Sequence, residues 1–129
     1  MKLDIDCVRD VLLTIEKLSM GCHGIDAFVK QTAKYGEENV QYTLAKLVEA
    51  DFLIADIPMD EGGYYHYISV YCMKYAGHQF LDTIREPKIW KQTKSIAEKV
   101  GVFSIDFITK IATSVIVELL KPHLSAPNA

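Results

Sequence analysis

Histidine and cysteine offer the widest range of chemistry in this 129-residue chain, which contains four histidines and three cysteines. Cys22 and His23 are adjacent, so their side chains point apart in a helix or a strand. No C-x-x-C or H-x-x-x-H spacing, with which zinc sites are commonly built, is present in the chain. The pattern therefore predicts neither a metal site nor a cofactor.

Covalent catalysis requires a serine or cysteine beside a base that a third residue orients. The chain shows no such local arrangement, no glycine-rich phosphate loop and no paired-carboxylate motif. The sequence therefore predicts a protein that is not an enzyme. His78 is the histidine of most interest. We expect its ring to hydrogen-bond a neighbouring backbone or carboxylate group and to fix a helix against a hairpin, with a ligand-binding or catalytic role as the alternative.

Basic and aromatic side chains point to a second kind of chemistry, the binding of double-stranded DNA. The DNA-binding candidates lie on a predicted recognition helix, at a hairpin and on a lysine-rich helix: Gln41, Tyr42 and Lys46; Tyr64 and Tyr65; Arg85, Lys88, Lys91 and Lys94. Each group has the alternative interpretation of a solvated surface. Glu38 and Glu49 favour that alternative on the recognition helix, because carboxylates repel phosphate.

The charge distribution also opposes simple DNA binding. The net charge is −3, but residues 1–63 hold 6 basic and 12 acidic side chains, whereas residues 64–129 hold 8 and 5. A DNA-binding surface is usually basic, and here the half with the predicted recognition helix is acidic. The three separated cysteines, the acidic N-terminal segment and the absence of an apolar run of about 18 residues predict a cytoplasmic protein with no membrane contact.

The elements that position these side chains follow from hydrophobic periodicity. Helices are expected at about residues 5–18, 25–34, 37–50, 75–85, 88–100 and 105–120, and strands at 53–57 and 64–71 around a Gly62-Gly63 turn. Asp4 or Asp6 is expected to cap the first helix, and Ser104 the last. Ile25, Phe28 and Val29 are expected to face inward, as are Val40, Leu44, Leu47 and Val48.

This order predicts a mainly α-helical fold with a small β-hairpin wing (α+β), a winged helix-turn-helix with two additional C-terminal helices. The predicted divisions are a winged helix-turn-helix domain over residues 1–86, a helical extension over 87–122 and a flexible tail over 123–129.

The last helix has apolar residues over about half its circumference, wider than the stripe of a helix that lies on a single core. We expect it to contact two neighbours, one of which is either a second copy of the chain or another part of the same chain. The candidates for a homodimer interface are Ile108, Ile111, Val115, Ile116 and Leu119.

Several segments resemble a family of short, uncharacterised bacterial and phage or prophage proteins, grouped as a domain of unknown function. The resemblance rests on Met1-Lys2 with Asp4 and Asp6, Val8-Arg9, Val11-Leu12-Leu13, Ile15-Glu16, Val40, Tyr42, Leu44, Leu47, Glu49-Ala50, Leu53-Ile54, the run Tyr75–Arg85, Trp90 and Lys94. The chain departs from the pattern at Thr43, where a histidine is common, at Lys74, where a threonine would cap the fourth helix, and over residues 20–36. The resemblance implies a winged-helix core with added C-terminal helices, and no established activity.

Two hypotheses follow. The first is a small, dimeric DNA-binding regulator of bacterial or mobile-element origin, whose DNA binding would weaken steeply with salt and on loss of Lys91 and Lys94. The second is an interaction module that grips a protein, such as a phage-encoded modulator of a host factor, through the acidic helix or the tyrosine-rich wing. Fold class favours the first slightly, although fold does not determine function.

Overall fold

The computed structural model describes residues 1–124, which form six α-helices, a short 3-10 helix and two β-strands. In chain order these are α1 (Ile5–Lys17), the 3-10 helix (Ile25–Phe28), α2 (Val29–Tyr35), α3 (Glu37–Glu49), β1 (Leu53–Asp56), β2 (Ser69–Met73), α4 (Tyr75–Ile84), α5 (Pro87–Val100) and α6 (Ile105–Leu124). The expected class, mainly α-helical with a hairpin wing, is confirmed.

The chain divides into two compact units, the first spanning Met1–Leu81 and the second beginning at Asp82. The division falls inside α4, a few residues before the predicted boundary at residue 86. Residues 123 and 124, which were expected to belong to a flexible tail, are part of α6, which continues to Leu124 with Pro122 in its last turn. Proline removes one backbone donor, which affects few helical bonds so close to a helix end. Residues 125–129 lie outside the described part of the chain.

Helix α1 begins at a carboxylate cap. Asp4 Oδ1 accepts hydrogen bonds from the backbone N–H groups of Asp6, at 2.9 Å, and Cys7, at 3.3 Å, so Asp4 fills the predicted role. The buried side of α1 carries an apolar stripe, Val8, Val11, Leu12 and Ile15. Burying an aliphatic side chain of this size contributes about 1.5–3 kcal/mol, so this stripe anchors the first unit.

Helix α3 packs against both α1 and α2. Val40, Leu44 and Leu47 are fully buried, as predicted, whereas Val48 is only half-buried. The second predicted helix starts with the 3-10 helix, in which Phe28 is buried. The expectation for Val29 was wrong, since that side chain is 65% exposed. The change from 3-10 to α geometry at this point rotates the following side chains relative to a continuous helix.

The wing is an antiparallel ribbon in which Leu53 pairs with Met73 and Asp56 with Ser69, with a register shift between Ile54 and Ala55. The predicted return strand was placed too early, because β2 starts at Ser69 and residues 64–68 lie in the connection. An isolated bridge between Met59 and Tyr65 is the remaining pairing there. The tip is instead closed by local bonds, which compete with a regular ladder.

A further strand-like contact was not anticipated from the sequence. His23 and Val70 exchange backbone hydrogen bonds, N–H of His23 to O of Val70 at 2.9 Å and N–H of Val70 to O of His23 at 2.8 Å. This bridge ties the α1–α2 connection to the wing. It therefore links the two segments on either side of the helix-turn-helix.

The second unit contains the pair α5 and α6, which pack on each other. Glu86 caps α5 by accepting from the Ile89 N–H at 3.0 Å, and Gly101 ends it in the left-handed conformation at φ 80°. Ser104 Oγ accepts from the Phe107 N–H at 3.2 Å, as predicted. The buried residues of the pair are Trp90, Thr93, Ala97, Ile108, Ile111, Ala112 and Val115.

Helix α4 approaches the end of the wing closely at Gly77. A Cβ built on Gly77 would lie 2.6 Å from the Phe52 carbonyl oxygen and 2.6 Å from Met73 Cγ. The Phe52 carbonyl is held in place by the Lys74 N–H at 2.7 Å, and the Phe52 ring packs 5.4 Å from that of Phe80. Glycine therefore lets α4 sit directly on the end of the wing.

We expect Gly77→Ala to lower the free energy of unfolding by about 2 kcal/mol, because overpacking costs more than the gain in helix propensity. Urea denaturation followed by circular dichroism measures the change. Gly62→Ala serves as the control, since its added Cβ would meet its nearest atoms at 3.4 Å. Equal or greater stability of Gly77→Ala would show that α4 does not need this close approach.

Candidate interaction surface on helix α3 and the wing

The outward side of α3 is fixed by burial of its opposite side. With Val40, Leu44 and Leu47 in the core, the helical repeat turns Glu38, Gln41 and Tyr42 away from it. Lys46 and Glu49 follow one turn later. The three recognition-helix candidates therefore share one surface, as predicted, and two carboxylates share it with them.

Each candidate on α3 already has a partner within the chain. Gln41 Nε2 donates to Glu37 Oε1 at 3.4 Å, and the Tyr42 hydroxyl donates to the Met1 carbonyl at 3.2 Å. Lys46 Nζ donates to both carboxylate oxygens of Glu49, at 3.0 and 3.2 Å. A phosphate would have to compete with these contacts.

Lys46 is the one lysine or arginine on this surface within the described residues, and its surroundings stabilise its protonated form. The hydrogen bond with Glu49 raises the pKa of Lys46, with smaller contributions from the charges of Glu49, Tyr42 and Tyr65. Its ammonium also lies 5.2 Å from the centre of the Tyr42 ring, within the range of a cation–π contact. Lys46 is thus neutralised locally by Glu49.

The wing tip is organised by Asp60. Its carboxylate accepts from the Tyr64 N–H at 2.9 Å, its N–H donates to the Tyr64 carbonyl at 2.7 Å, and its carbonyl accepts from Gly63 at 3.1 Å. These bonds hold Tyr64 outward, where it is 69% exposed. Tyr67 donates its hydroxyl to Asp56 at 2.9 Å, a bond that raises the pKa of Tyr67.

Helix α3 and the wing enclose a cleft of about 170 Å³. It is lined by Met1, Glu38, Gln41, Tyr42, Met59, Gly63, Tyr64 and Tyr65. The structure thus brings together four of the predicted DNA-binding residues, Gln41, Tyr42, Tyr64 and Tyr65. Met1, Met59 and Gly63 were not anticipated, since only the fold brings these separated segments to one place.

The surroundings of this cleft are strongly acidic. Residues 35–73, which include α3 and the whole wing, contain seven acidic side chains and one basic side chain, a net charge of −6. The wing itself carries Asp56, Asp60 and Glu61 and has neither lysine nor arginine. We name the exposed side of α3 together with residues 56–67 the α3–wing surface.

The remaining DNA-binding candidates lie in the second unit. Lys88 and Lys91 are exposed, as is Lys99, and the spacing places all three on one side of α5. Lys94 is half-buried on another side of the helix. Arg85 forms an ion pair with Asp82 at 2.6 Å.

With the helices, wing and cleft in place, comparison with known proteins gives one match. The chain belongs to DUF2513, a family of hypothetical proteins. The match covers residues 2–103 and confirms the resemblance to a domain of unknown function. The DUF2513 region thus spans α1 to α5 and ends just before α6. No curated protein and no solved structure matches the chain.

The five dimer-interface candidates differ in accessibility. Ile108, Ile111 and Val115 are buried by the chain itself, at 0%, 7% and 7% exposure, so they are covered before any second copy arrives. Ile116 is half-buried and Leu119 is 52% exposed. The apolar end of α6 also exposes Val117, Leu120 and Leu124, which the prediction did not name.

The histidines and cysteines of the DUF2513 chain are dispersed. Among residues 1–124, no three histidine, cysteine, aspartate or glutamate side chains cluster as a metal site would require. Cys7 is buried and accepts a hydrogen bond from the Thr43 hydroxyl at 3.4 Å, and burial raises the pKa of its thiol. Within residues 1–124 the His78 ring has no hydrogen-bond partner, so the bond expected for it is absent, and the side chain is exposed.

The apolar character of α6 does not amount to a membrane segment. In the portion of the chain that the structure describes, no helix combines the length and apolar composition needed to cross a bilayer.

Proposed function

We propose that this protein is a non-enzymatic interaction module whose α3–wing surface binds a basic region of a protein partner. The observation that carries the proposal is the charge of that surface, where the carboxylates of Glu38, Glu49, Asp56, Asp60 and Glu61 stand against one basic side chain, Lys46, which is paired with Glu49. Complementary charge guides encounter and discriminates among partners. A basic protein surface is the partner that this field attracts.

The same charge disfavours DNA at this surface. DNA-binding helices and wings gain affinity when lysine and arginine displace counterions from phosphates. Here Glu38 would face the backbone if α3 entered a groove, and the wing tip would present Asp60 and Glu61. The charge therefore favours a winged helix that binds a protein over one that inserts α3 into a DNA groove.

Exposed aromatic and sulphur-containing side chains support the same proposal. Tyr64, Tyr67 and Met59 are 69%, 54% and 57% exposed on one short connection. Tyrosine and methionine are enriched in protein interfaces, where they supply contact area at a low cost in conformational entropy. The thiols of Cys7, Cys22 and Cys72 are all free. Free thiols suit the reducing cytoplasm of a bacterial host cell or of a cell carrying a mobile element.

Charge reversal tests the proposal. Glu38→Lys should weaken binding to a partner by about ten-fold or more, because it replaces an attractive contact with a repulsive one. Affinity capture from source-cell lysate identifies candidates, and calorimetry with the purified partner measures affinity. Glu98→Lys, at an exposed position on α5, is the matched control. Equal affinities of both variants for every purified candidate would refute a role for the α3–wing surface.

The row of lysines on α5 supports a second candidate function, a small DNA-binding transcriptional regulator of bacterial or mobile-element origin. Lys88, Lys91 and Lys99 form an exposed basic side of one helix. A row of this kind can track a phosphate backbone without reading base sequence. This function would place the DNA contact on the second unit.

If α5 binds DNA, Lys88→Glu with Lys91→Glu should weaken duplex binding by about ten-fold or more and flatten its salt dependence by roughly 0.9 in log–log slope for each lost phosphate contact. Fluorescence anisotropy across a salt series, with source-genome and random duplexes, measures both quantities. Lys17→Glu with Lys110→Glu reverses the same number of charges at other exposed positions. Equal losses in the two double variants, or no binding at low salt, would rule out a specific α5 contact.

We also propose that the chain forms a homodimer through the end of α6. Val117, Leu120 and Leu124 recur at spacings of three and four, so they form one apolar row, 45%, 43% and 75% exposed. Half-buried Ile116 borders that row. In a two-fold symmetric dimer, this row would pack against the same row of a second copy of the chain.

Val117→Glu with Leu120→Glu should convert the dimer to a monomer, because two carboxylates would be buried against apolar side chains. Sedimentation equilibrium measures the mass in solution. Gln92→Glu with Ser95→Glu adds the same charge to exposed positions on α5 and should leave the dimer intact. A monomeric wild-type protein at all concentrations would exclude this dimer.

A further inference from the structure

The cleft between α3 and the wing has the size of a side-chain receptor. Its volume of about 170 Å³ corresponds to five or six water molecules at about 30 Å³ each. That volume admits one long side chain. The floor and walls combine aromatic rings, two methionines and a few polar groups, a mixture that suits a side chain with an apolar stem and a charged head.

Three tyrosines, Tyr42, Tyr64 and Tyr65, line this small volume. Tyrosine rings attract cations through their negative faces. The chain itself shows this for Tyr42, whose ring holds the Lys46 ammonium 5.2 Å from its centre. Lys46 itself is not among the residues that line the cleft.

Glu38 supplies the charge that a cation needs. Of the three acidic residues of α3, Glu37 is hydrogen-bonded to Gln41 and Glu49 to Lys46. The Glu38 carboxylate lines the cleft and has no hydrogen-bond or ion-pair partner within residues 1–124. The neighbouring residues 35–73, with seven acidic side chains and one basic side chain, add to the negative local field.

The polar groups of the cleft include several acceptors. Gln41 uses its amide N–H toward Glu37, which leaves its carbonyl oxygen as an acceptor. The Tyr42 hydroxyl donates to Met1, which leaves oxygen lone pairs. Two carboxylate oxygens, an amide oxygen and a phenolic oxygen can accept from the N–H donors of a guanidinium group, which also stacks on aromatic rings.

We propose that this cleft receives an arginine side chain from a basic segment of a protein partner, with the guanidinium held by Glu38 and stacked among Tyr42, Tyr64 and Tyr65. The inference rests on the proposed protein-binding function and specifies its chemistry. Met1 and Met59 would pack on the methylene stem. The partner therefore needs an arginine at one specific position, in addition to a generally basic surface.

The test uses the full-length protein labelled with ¹⁵N and two peptides, acetyl-Gly-Gly-Arg-Gly-Gly-amide and the same peptide with citrulline in place of arginine. Citrulline keeps the shape of arginine and lacks its charge. Backbone amide shifts are followed during titration. We expect saturable shifts centred on Glu38, Gln41, Tyr64 and Tyr65 with the arginine peptide, and affinity about ten-fold lower with the citrulline peptide.

Two matched pairs of variants locate the effect. Glu38→Gln should weaken arginine binding by about five-fold or more, whereas Glu37→Gln, which removes the same charge from the neighbouring position, should change it by less than about two-fold. Tyr64→Ala should weaken binding, whereas Tyr67→Ala, at another exposed tyrosine of the wing, should not. The spectra of the free variants also show whether each variant is folded.

Equal binding of the citrulline peptide, equal binding of a lysine peptide, or equal losses in Glu37→Gln and Glu38→Gln would overturn the arginine receptor. If the arginine peptide does not bind but a purified partner does, with loss in Glu38→Lys, the receptor is wrong and the protein-binding function stands. If the peptide binds the cleft as expected but no purified partner depends on Glu38, the receptor stands and the proposed partner contact fails.

Discussion

Burial of one side of α3 is the constraint on which the rest of the first unit depends. Val40, Leu44 and Leu47 lie in the core and α3 packs against α1, so the helix has one allowed rotation about its axis. Any other rotation would expose these residues and bury Glu38 or Glu49 without a partner, at a cost of several kcal/mol for each carboxylate. The outward display of Glu38, Gln41 and Tyr42 is therefore a consequence of core packing. It does not require stabilising contacts at the surface itself.

The wing completes this surface because its backbone is anchored at both ends. The Gly77 approach places α4 against Phe52 and Met73 at the base, while Asp60 fixes the tip through bonds to Gly63 and Tyr64. Between these anchors the exposed tyrosines are held outward by the local fold. The same scaffold that elsewhere inserts a basic helix into a DNA groove can in this way present an acidic, aromatic surface, since fold constrains shape and the side chains decide the partner.

The second unit has a different balance of interactions. The middle of α6 is buried together with α5, but the helix continues past Val115 with side chains that nothing in the described chain covers fully. Val117, Leu120 and Leu124, which form one row, are 45%, 43% and 75% exposed. An exposed apolar row at the end of a long helix marks a contact surface more often than a structural one. The family match ends before this helix begins, so the row lies outside the region shared by the family.

Hydrophobic periodicity predicted the six helices and three of the four inward residues of α3, and residue type predicted a cap at Asp4 or Asp6 and another at Ser104, because these features depend on contacts within a few residues of the chain. It could not locate Val29, whose exposure follows from a local 3-10 turn, or the start of β2, since residues 64–68 form no regular ladder and pair only through the isolated Met59–Tyr65 bridge. Composition determined the acidity of residues 35–73. Only the tertiary structure decided that Met1, Glu38, Met59 and Tyr64 share one cleft, and that Ile108 and Ile111 are covered by α5 and α6 packing. Those outcomes depend on contacts between distant segments, whose register no local pattern encodes.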